Sequence, residues 1–497
     1  MSIIEVNRLT FGYEGSAETL FEDVSFRLDT DWRTGFTGRN GRGKTTFFRL
    51  LAGELPYQGQ IRASVAFERY PFPGVENQLC AWDLAGMLCP GREEWELLRE
   101  AGRMGVPEEV LFRPFFTLSH GEQAKIMLAG LFLRENAFLL IDEPTNHLDQ
   151  QGRAAVADYL RTQKGFILIS HDRDFLDRCT DHTLSINRQS IDVTRGSFSV
   201  WYGEKQRQDE RERRENERLK KDIRRLTESA RRTAEWSERT EKAKKGTRIS
   251  GLRPDRGYIG HRAAKLMQRA QSVRSRQEQA VQEKSRLLKN VEDTAELRLP
   301  ARSAGGGSLV RLENVGMNYG ERAVLHGLNL TVCGGDRIAV SGKNGCGKST
   351  LLRLLCGELE PSEGRVLRRS GLKISRVEQD ASALSGALTD YVRRRGLDPT
   401  LLHTLLRKFG LPRELFDRPM ETWSAGQKKE VLLAASLCEP ANLYVWDEPL
   451  NYIDVIARIQ IEELLRGSGC TVVFVEHDSR FCDRTATRIF KLDEIPK

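Results

Sequence analysis

The amino-acid sequence has no run of 18 or more apolar residues, and this absence predicts that no helix spans a membrane. Residues 1–15 alternate like a strand and lack the basic start, apolar middle and cleavage site of a signal peptide. The nine cysteines form no C-x-x-C pair and have no metal-like spacing, which favours a reducing compartment without structural zinc. These absences predict a soluble, cytoplasmic chain with no membrane partner.

Glycine and proline are almost missing from residues 203–243, which are rich in Arg, Glu and Lys and therefore favour helix. Two sparse apolar seams flank a loop-like segment, 244–261. The seams consist of Leu219, Ile223, Leu226 and Ala230, and of Leu266, Ala270, Val273, Ala280, Leu287 and Val291. Their spacing predicts an antiparallel helical hairpin, with about forty residues and roughly 60 Å in each helix.

Acidic residues are outnumbered in the same region. Residues 201–300 contain 28 Lys and Arg against 17 Asp and Glu, a net charge of +11, so the rest of the chain carries −3. Between residues 231 and 276 there are 14 basic and 4 acidic residues. An anionic partner is therefore expected at this segment, the alternative being a long helix pair that is merely solvated.

Two segments match the phosphate-binding pattern G-x-x-x-x-G-K-[ST], at residues 38–46 and 341–350. One match could be a Gly-rich turn before a helix. Four further residues recur with the lysines, at offsets between 304 and 306 residues. The recurring pairs are Tyr13 and Tyr319, Lys44 and Lys348, Ser119 and Ser424, Glu143 and Glu448, and His171 and His477. The common register predicts a tandem repeat.

Strands of near-continuous apolar character, such as 138–141 and 443–446, alternate with helical segments in both repeats. This alternation predicts an α/β fold with mostly parallel sheets covered on both faces. The length also favours two or three domains. The predicted architecture is two tandem P-loop nucleotide-binding domains joined by the basic helical hairpin. The predicted boundaries are 1–200, 201–302 and 303–497, with a flexible hinge at 302–308.

The phosphate loops predict nucleotide binding, because glycine lets backbone N–H groups approach phosphates and a helix N-terminus favours negative charge. The lysines would reach the β- and γ-phosphates, and Thr45 and Ser349 would ligate Mg²⁺. The residues predicted to bind nucleotide in the loops are Gly38, Asn40, Gly41, Gly43, Lys44, Thr45 and Thr46 in the first repeat and Gly342, Asn344, Gly345, Gly347, Lys348, Ser349 and Thr350 in the second.

Two apolar strands end in Asp-Glu and two others run into histidines. Asp142 and Asp447 are placed at a sheet edge, where a contact to Mg²⁺ is expected. The adjacent glutamates would orient and polarise an attacking water. A lone histidine is usually packed or at the surface, but recurrence at matching positions favours a contact with the γ-phosphate. The predicted catalytic residues are Glu143, Glu448, His171 and His477.

The stretches LSHGEQ (118–123) and WSAGQ (423–427), together with the loops and the Asp-Glu strands, resemble the ATP-binding cassette (ABC) ATPases. The resemblance covers most of the chain and implies ATP hydrolysis with ATP and Mg²⁺ as cofactors. In that family two cassettes face each other head to tail, and each ATP lies between one phosphate loop and the opposite signature.

Applied to this chain, the family's arrangement implies two composite sites. One pairs Lys44 with Ser424 and Gly426, and the other pairs Lys348 with Ser119 and Gly121. The remaining residues assigned in this way are Tyr13 and Tyr319 on the adenines, Glu122 and Gln427 in the signatures, Gln379 as nucleotide and metal ligand, and Asp149 and Asp454 at the interface between cassettes.

This chain departs from the family pattern at four places, three of which are Ala425, Leu450 and Tyr452 in the second repeat. The fourth is segment 68–73 of the first repeat, which offers no glutamine equivalent to Gln379. The two composite sites are therefore expected to hydrolyse ATP at unequal rates.

The EPTNHLD wording at 143–149 and the long basic hairpin resemble the ABC-F proteins, which act on ribosomes. Three sequence segments look like the Lsa-type antibiotic-resistance branch of that family: 448–454, 424–429 and 255–270. The resemblance implies a monomer with paired cassettes that, in its ATP-bound form, enters the exit site of the bacterial ribosome. There it would contact large-subunit ribosomal RNA and peptidyl-tRNA and displace lincosamides, pleuromutilins or streptogramin A. Hydrolysis would release it.

The hairpin loop would make the RNA contacts in that interpretation, through Lys244, Lys245, Arg248, Arg253, Arg256 and Tyr258. A housekeeping ABC-F factor that relieves stalled ribosomes is the first alternative. The ATPase subunit of an ABC transporter is the second, although such subunits join their cassettes by short linkers.

Overall fold

The computed structural model describes residues 2–13, 19–72, 79–145, 148–187, 190–246, 275, 307–320, 322–343 and 345–492. The chain divides into two compact units. One comprises Met1–Trp201 with Ala295–Lys497 and contains both sequence repeats, and the other comprises Tyr202–Thr294. Because this division does not separate the two repeats from each other, the predicted boundaries at 200 and 302 stay predictions.

The first repeat contains an antiparallel sheet and a mostly parallel one. The antiparallel sheet has the order β2-β1-β4, with strands β1 (Ile3–Phe11), β2 (Phe21–Asp29) and β4 (Gln58–Arg62). The larger sheet has the order β5-β6-β7-β3-β8-β9, with strands β3 (Arg33–Thr37), β5 (Ala66–Tyr70), β6 (Ala137–Asp142), β7 (Phe166–Ile169), β8 (His182–Ile186) and β9 (Ile191–Arg195). Its strands pair in parallel except for β9.

Seven helices accompany these sheets in the described part of the first repeat. They are α1 (Lys44–Leu51), α2 (Ala81–Leu88), α3 (Glu94–Arg103), α4 (Glu108–Leu111), α5 (His120–Phe132), α6 (Gln150–Thr162) and α7 (Arg173–Cys179). Strand β7 is buried along its whole length and reads FILI, as expected for a parallel strand covered on both faces. The apolar core includes Phe36, Phe47 and Phe48, which pack edge-on or tilted against one another.

The second repeat has the same architecture. Its antiparallel sheet, in the order β11-β10-β13, consists of β10 (Ser308–Tyr319), β11 (Arg322–Cys333) and β13 (Glu363–Arg368). Its parallel sheet, in the order β14-β15-β16-β12-β17, consists of β12 (Arg337–Ser341), β14 (Ile374–Val377), β15 (Leu443–Asp447), β16 (Val472–Val475) and β17 (Arg488–Lys491). Its helices are α9 (Lys348–Cys356), α10 (Leu388–Arg395), α11 (Pro399–Phe409), α12 (Ala425–Cys438), α13 (Val455–Ser468) and α14 (Ser479–Thr485). The predicted α/β fold with a tandem repeat is confirmed.

A single helix, α8 (Phe198–Gly246), leaves the first repeat and runs for 49 residues, about 70 Å. No described side chain between residues 202 and 232 is buried, which explains its charged composition. Apart from Ser275, the second helix of the predicted hairpin lies outside the described residues, as does most of its loop. Within the part of the chain that the structure describes, no helix is both long and apolar enough to cross a membrane.

Candidate functional site

The two phosphate loops connect β3 to α1 and β12 to α9. Gly43 and Gly347 cap these helices with φ angles of 87° and 101°, in the left-handed region. A Cβ atom would lie 2.6 Å from a Leu20 methyl carbon at Gly43 and 2.8 Å from a Leu325 methyl carbon at Gly347. Only glycine therefore fits at either helix entrance.

The two loop lysines are held in the same way in both repeats. Lys44 Nζ donates to the carbonyl oxygens of Gly38 (2.7 Å) and Arg39 (3.2 Å). Lys348 Nζ donates to those of Gly342 (2.7 Å) and Lys343 (3.0 Å). Burial lowers the pKa of Lys44, and the carboxylates of Asp454 and Glu143 oppose this shift. The predicted loop residues of the first repeat are all described, whereas Asn344 of the second lies outside the described residues.

Each loop hydroxyl meets an aspartate at the end of a buried strand. Thr45 Oγ1 donates to Asp142 Oδ2 at 2.8 Å, and Ser349 forms the equivalent bond with Asp447. Burial raises the pKa of both aspartates, and these hydrogen bonds partly offset the shift. The structure thus brings together the two residues that the sequence predicted as Mg²⁺ ligands in each loop.

The glutamate that follows each aspartate has an unusual backbone conformation. Glu143 and Glu448 adopt φ angles of 50° and 46°, and each backbone N–H donates across to the neighbouring strand. A non-glycine residue with positive φ is strained and persists where its surroundings hold it. Both side chains lie 3.3 Å from the histidine predicted with them, Glu143 Oε1 from His171 Nε2 and Glu448 Oε1 from His477 Nε2.

The two glutamates differ in their hydrogen bonds. Burial, together with the charge of Asp142, raises the pKa of Glu143 to about 8. Burial acts on Glu448 too, but hydrogen bonds from His477, Gln379 and Asn451 outweigh it and lower its pKa to about 2. Gln379 Nε2 and Asn451 Nδ2 donate to Glu448 Oε2 at 3.0 and 2.6 Å. Sequence reasoning missed Asn451, whose position three residues after Glu448 was the available signal.

The glutamine missing from the first repeat is replaced by an aromatic residue. Strand register pairs Tyr70 with Ile141 and Val377 with Trp446, so Phe72 stands where Gln379 stands in the second repeat. The guanidinium of Arg134 lies 5.5 Å from the centre of the Phe72 ring. The first repeat therefore places a packed ring where the second places a hydrogen-bond donor.

The signature serines begin helices α5 and α12. Ser119 Oγ accepts from Glu122 N and Ser424 Oγ accepts from Gln427 N, while Glu122 and Gln427 bond back to the serine backbone. These contacts form two capping boxes, a motif that the S-x-x-E/Q spacing could have indicated. Glu122 and Gln427, predicted as nucleotide ligands, thus close the helix ends here.

Residues from both repeats line one cavity of about 1100 Å³. From the first repeat it is lined by Ser119, His120, Gly121, Glu122, Lys125, Leu148, Asp149, Gly152 and Arg153, and from the second by Tyr319, Val324, Gly345, Gly347, Lys348, Ser349, Thr350, Gln379, Glu448, Asn451, Tyr452 and His477. A volume of this size accommodates a nucleotide. The cavity joins the phosphate loop of one repeat to the signature of the other, as the resemblance implied for Lys348, Ser119 and Gly121.

A family model described as ABC transporter matches residues 21–146 and 325–451, which together make up just over half of the chain. The chain belongs to the ABC ATPase family. Its two repeats are therefore ABC cassettes, which bind and hydrolyse ATP.

Relatives of ABC-F type match nearly the whole chain. The ATP-binding protein Uup of Caulobacter vibrioides is 28% identical, over 96% of this chain and 75% of that protein. The ribosome protection protein VmlR of Bacillus subtilis is 27% identical, over 95% of this chain and 84% of that protein. Among solved structures, the archaeal ribosome recycling factor aABCE1 superposes with a TM-score of 0.61 at 19% identity, covering 97% of this chain and 87% of its own. That likeness shows the fold.

The phosphate loop of Lys44 also contacts the opposite cassette directly. Asn40 Nδ2 donates to the carbonyl oxygen of Tyr452 at 2.7 Å, and Asn40 N donates to Asp454 Oδ2 at 3.2 Å. Gly426 lies against Tyr452, because a Cβ atom at Gly426 would be 3.2 Å from the Tyr452 Cβ. The Lys44 loop thus contacts the second cassette through Tyr452 and Asp454, and its pairing with Ser424 and Gly426 stays a prediction.

The tyrosines predicted to stack on adenine lie beside both loops. Tyr13 and Tyr319 are each 46% exposed, so their rings are accessible. Tyr13 Oη hydrogen-bonds Thr46 Oγ1 at 2.9 Å, and Tyr319 lines the cavity.

An ion pair and a hydrogen bond connect the two cassettes through buried or half-buried arginines that the sequence did not indicate. Arg173 Nη2 donates to Glu462 Oε2 of the opposite cassette at 2.7 Å, with side chains 3% and 2% exposed. Arg153 Nη1 donates to the carbonyl oxygen of His477 at 3.4 Å. The catalytic ends of the cassettes are therefore linked through the interface.

The residues predicted to contact RNA are not tested by this geometry. Lys244 and Lys245 belong to the last turn of α8, and their side chains are not described. Arg248, Arg253, Arg256 and Tyr258 lie outside the described residues.

Proposed function

We propose that this ABC ATPase is an ABC-F protein of the Lsa-type resistance branch. In its ATP-bound form it enters the exit site of the bacterial ribosome and contacts large-subunit ribosomal RNA and peptidyl-tRNA. It thereby removes lincosamides, pleuromutilins or streptogramin A from the peptidyl-transferase centre, and ATP hydrolysis releases it. The cytoplasm is the compartment that this role requires.

The observation that carries the proposal is the cavity shared by the two cassettes, with the basic segment 201–300 between them in the chain. A nucleotide held by one loop and the opposite signature favours the closed arrangement, because it binds that arrangement better than the open one. The basic segment begins in α8, whose charged side chains suit phosphates, since Lys and Arg supply most sequence-independent affinity for RNA. The relative VmlR is named a ribosome protection protein.

The residues at both loops fit Mg²⁺, because hydroxyl and carboxylate oxygens are the ligands that this ion prefers. We assign Thr45 with Asp142, and Ser349 with Asp447 and Gln379, to the metal, which would neutralise phosphate charge when bound. Glu143 and Glu448 would position the attacking water, and His171 and His477 would orient the glutamates and meet the γ-phosphate. The hairpin-loop residues Lys244 to Tyr258 would make the RNA contacts.

Replacing Glu143 and Glu448 by Gln should keep ATP binding but slow hydrolysis, because the amide cannot take up a proton from water. The double variant should therefore co-sediment with bacterial ribosomes in ATP, whereas the wild-type chain should do so less. A matched control adds Lys44→Ala and Lys348→Ala, which remove ATP binding and should abolish co-sedimentation. If the double variant never sediments with ribosomes in ATP, the ribosomal role is wrong.

A second experiment measures drug susceptibility and separates a resistance role from a housekeeping role. Wild-type protein expressed in a drug-sensitive host should raise the inhibitory concentrations of lincomycin and tiamulin, and the Glu-to-Gln variant should not. Ribosome binding with unchanged inhibitory concentrations would instead favour a factor that relieves stalled ribosomes. Co-purification with a membrane partner, and ATPase activity that survives deletion of 215–290, would favour a transporter subunit.

A further inference from the structure

The second cassette has a carboxyl group at a position where the first has a hydroxyl. Glu476 follows strand β16 and comes directly before His477, and Ser170 follows strand β7 and comes directly before His171. Because the two histidines are equivalent in the repeats, the residues in front of them are equivalent too. A longer side chain therefore stands at the end of this parallel strand in the second cassette only.

The carboxyl group of Glu476 accepts hydrogen bonds from two backbone segments. Its Oε1 accepts from Leu450 N at 2.7 Å, and its Oε2 accepts from His477 N at 3.1 Å. Burial raises the pKa of Glu476, and the charge of Arg458 opposes the shift. Both contacts require only an acceptor oxygen, which a carboxyl group offers whether or not it is ionised. The side chain thus joins the segment after Glu448 to the strand end that carries His477.

These two backbone segments carry the side chains that flank the Glu448 carboxylate. Asn451, next to Leu450, donates from Nδ2 to Glu448 Oε2 at 2.6 Å. His477 Nε2 lies 3.3 Å from Glu448 Oε1. Arg458 Nη2 donates to the carbonyl oxygen of Leu450 at 2.9 Å, so both polar backbone groups of Leu450 are bound. The carboxyl of Glu476 therefore holds the backbone on either side of the glutamate.

The first cassette joins the same two segments by a different contact. The hydroxyl oxygens of Thr145 and Ser170 lie 3.3 Å apart, and both residues are buried. Leu450, which stands in place of Thr145, is buried too but has no hydroxyl. Glu476 instead reaches the backbone N–H of that leucine. The exchange of serine for glutamate is thus matched by the exchange of threonine for leucine.

We infer that Glu476 is a positioning residue for ATP hydrolysis at the Lys348 site, where it holds Asn451 and His477 against the two oxygens of Glu448. A carboxylate held at both oxygens keeps one orientation toward the attacking water, and a misplacement of about 1 Å can cost about a hundredfold in rate. The inference rests on the proposed role of Glu448 in hydrolysis and is independent of the ribosomal role.

The test uses the full-length chain with Glu143→Gln, so that hydrolysis at the Lys348 site is measured. Single-turnover hydrolysis of ATP with Mg²⁺, followed at increasing protein concentration, gives a maximal rate and a half-saturating concentration. Glu476→Ser should lower the maximal rate about tenfold, a larger effect than on the half-saturating concentration, because the side chain does not contact the phosphate loop. Glu463→Gln, which changes an exposed carboxylate of the same cassette, is the matched control and should leave both values unchanged.

A rescue variant distinguishes a link between the two segments from any other role of the carboxyl. Leu450→Thr combined with Glu476→Ser recreates the hydroxyl pair of the first cassette and should restore most of the lost rate. If thermal melting shows that the serine variant does not fold, Glu476→Gln, which keeps one acceptor oxygen, carries the test and should lower the rate less. An unchanged rate in the folded variant, or no recovery in the double variant, would overturn the inference. If Glu448→Gln in the same background leaves the rate unchanged, the proposed role of Glu448 is wrong and the inference fails with it.

Discussion

At the scale of single residues, the main finding is that equivalent positions of the two cassettes hold different residues with different contacts. Lys429 is 2% exposed, and its Nζ donates to the carbonyl oxygens of Glu378 (2.5 Å), Gln379 (3.1 Å) and Asp447 (3.2 Å). The first cassette has Ala124 at the equivalent position. The ammonium group thus joins the backbone just before Glu448 to the backbone of Gln379, whose side chain donates to the Glu448 carboxylate.

Replacing Lys429 by Met should reduce kcat for ATP hydrolysis by about tenfold, a larger effect than on KM, because Gln379 would lose its position beside Glu448 while the phosphate loop stays intact. Steady-state kinetics measure both constants. Lys428→Met, which changes the neighbouring half-exposed lysine, is the control. A rise in KM with unchanged kcat would show that Lys429 contributes to ATP binding rather than to the position of Gln379.

At the scale of structural elements, helix α8 is anchored at its first turn. Asp177 in α7 accepts from the backbone N–H of Ser199 at 2.8 Å and also contacts the Ser199 hydroxyl. Arg480, in helix α14 of the second cassette, donates to Asp177 Oδ2 (3.2 Å) and to Ser199 Oγ (3.0 Å). Both cassettes therefore contact the start of the helix that leads into the basic segment, and α14 begins two residues after His477.

Replacing Asp177 by Ala should loosen the first turn of α8, because a backbone donor loses its carboxylate partner, at a cost of about 1–2 kcal/mol. Hydrogen exchange should become faster at residues 198–204. Asp158→Ala removes an exposed aspartate from the first cassette and should leave this exchange unchanged. Equal protection of 198–204 in both variants would contradict the anchoring role.

At the scale of the whole molecule, the cassettes are joined by a buried charge cluster. Glu462 forms two ion pairs. Its Oε2 lies 2.7 Å from Nη2 of Arg173 in the first cassette, and its Oε1 lies 3.1 Å from Nη1 of Arg484 in its own cassette. A buried ion pair stabilises little in itself, but removing one partner leaves an uncompensated charge. The cluster therefore favours one arrangement of the paired cassettes.

Replacing Glu462 by Gln should destabilise the cassette pair by about 3 kcal/mol, because Arg173 would remain buried without a charged partner. A lower thermal midpoint measures this effect. The adjacent exposed Glu463→Gln should shift the midpoint little. A double-mutant cycle with Arg173→Met should give a coupling between the two residues, and additive effects would contradict the direct pairing.

The sequence by itself determined the tandem α/β repeat and both phosphate loops, because these features depend on local spacing and on glycine at a fixed place in each loop. The register between repeats also located the Thr45–Asp142 and Ser349–Asp447 pairs, since a strand end and a helix start fix both partners. The missing glutamine of the first repeat was visible in the same way.

Only the tertiary structure decided which residues act across the interface and how differently the two sites are built. Lys125 and Glu430 occupy equivalent places in the sequence register, but only the fold shows that each lies at the phosphate loop of the opposite cassette, more than 200 residues away. Phe72 in place of a glutamine, the bracing lysine Lys429 and the buried Glu462 are likewise set by packing between distant segments. Periodicity carries no information on such contacts, because they arise only when two faces meet.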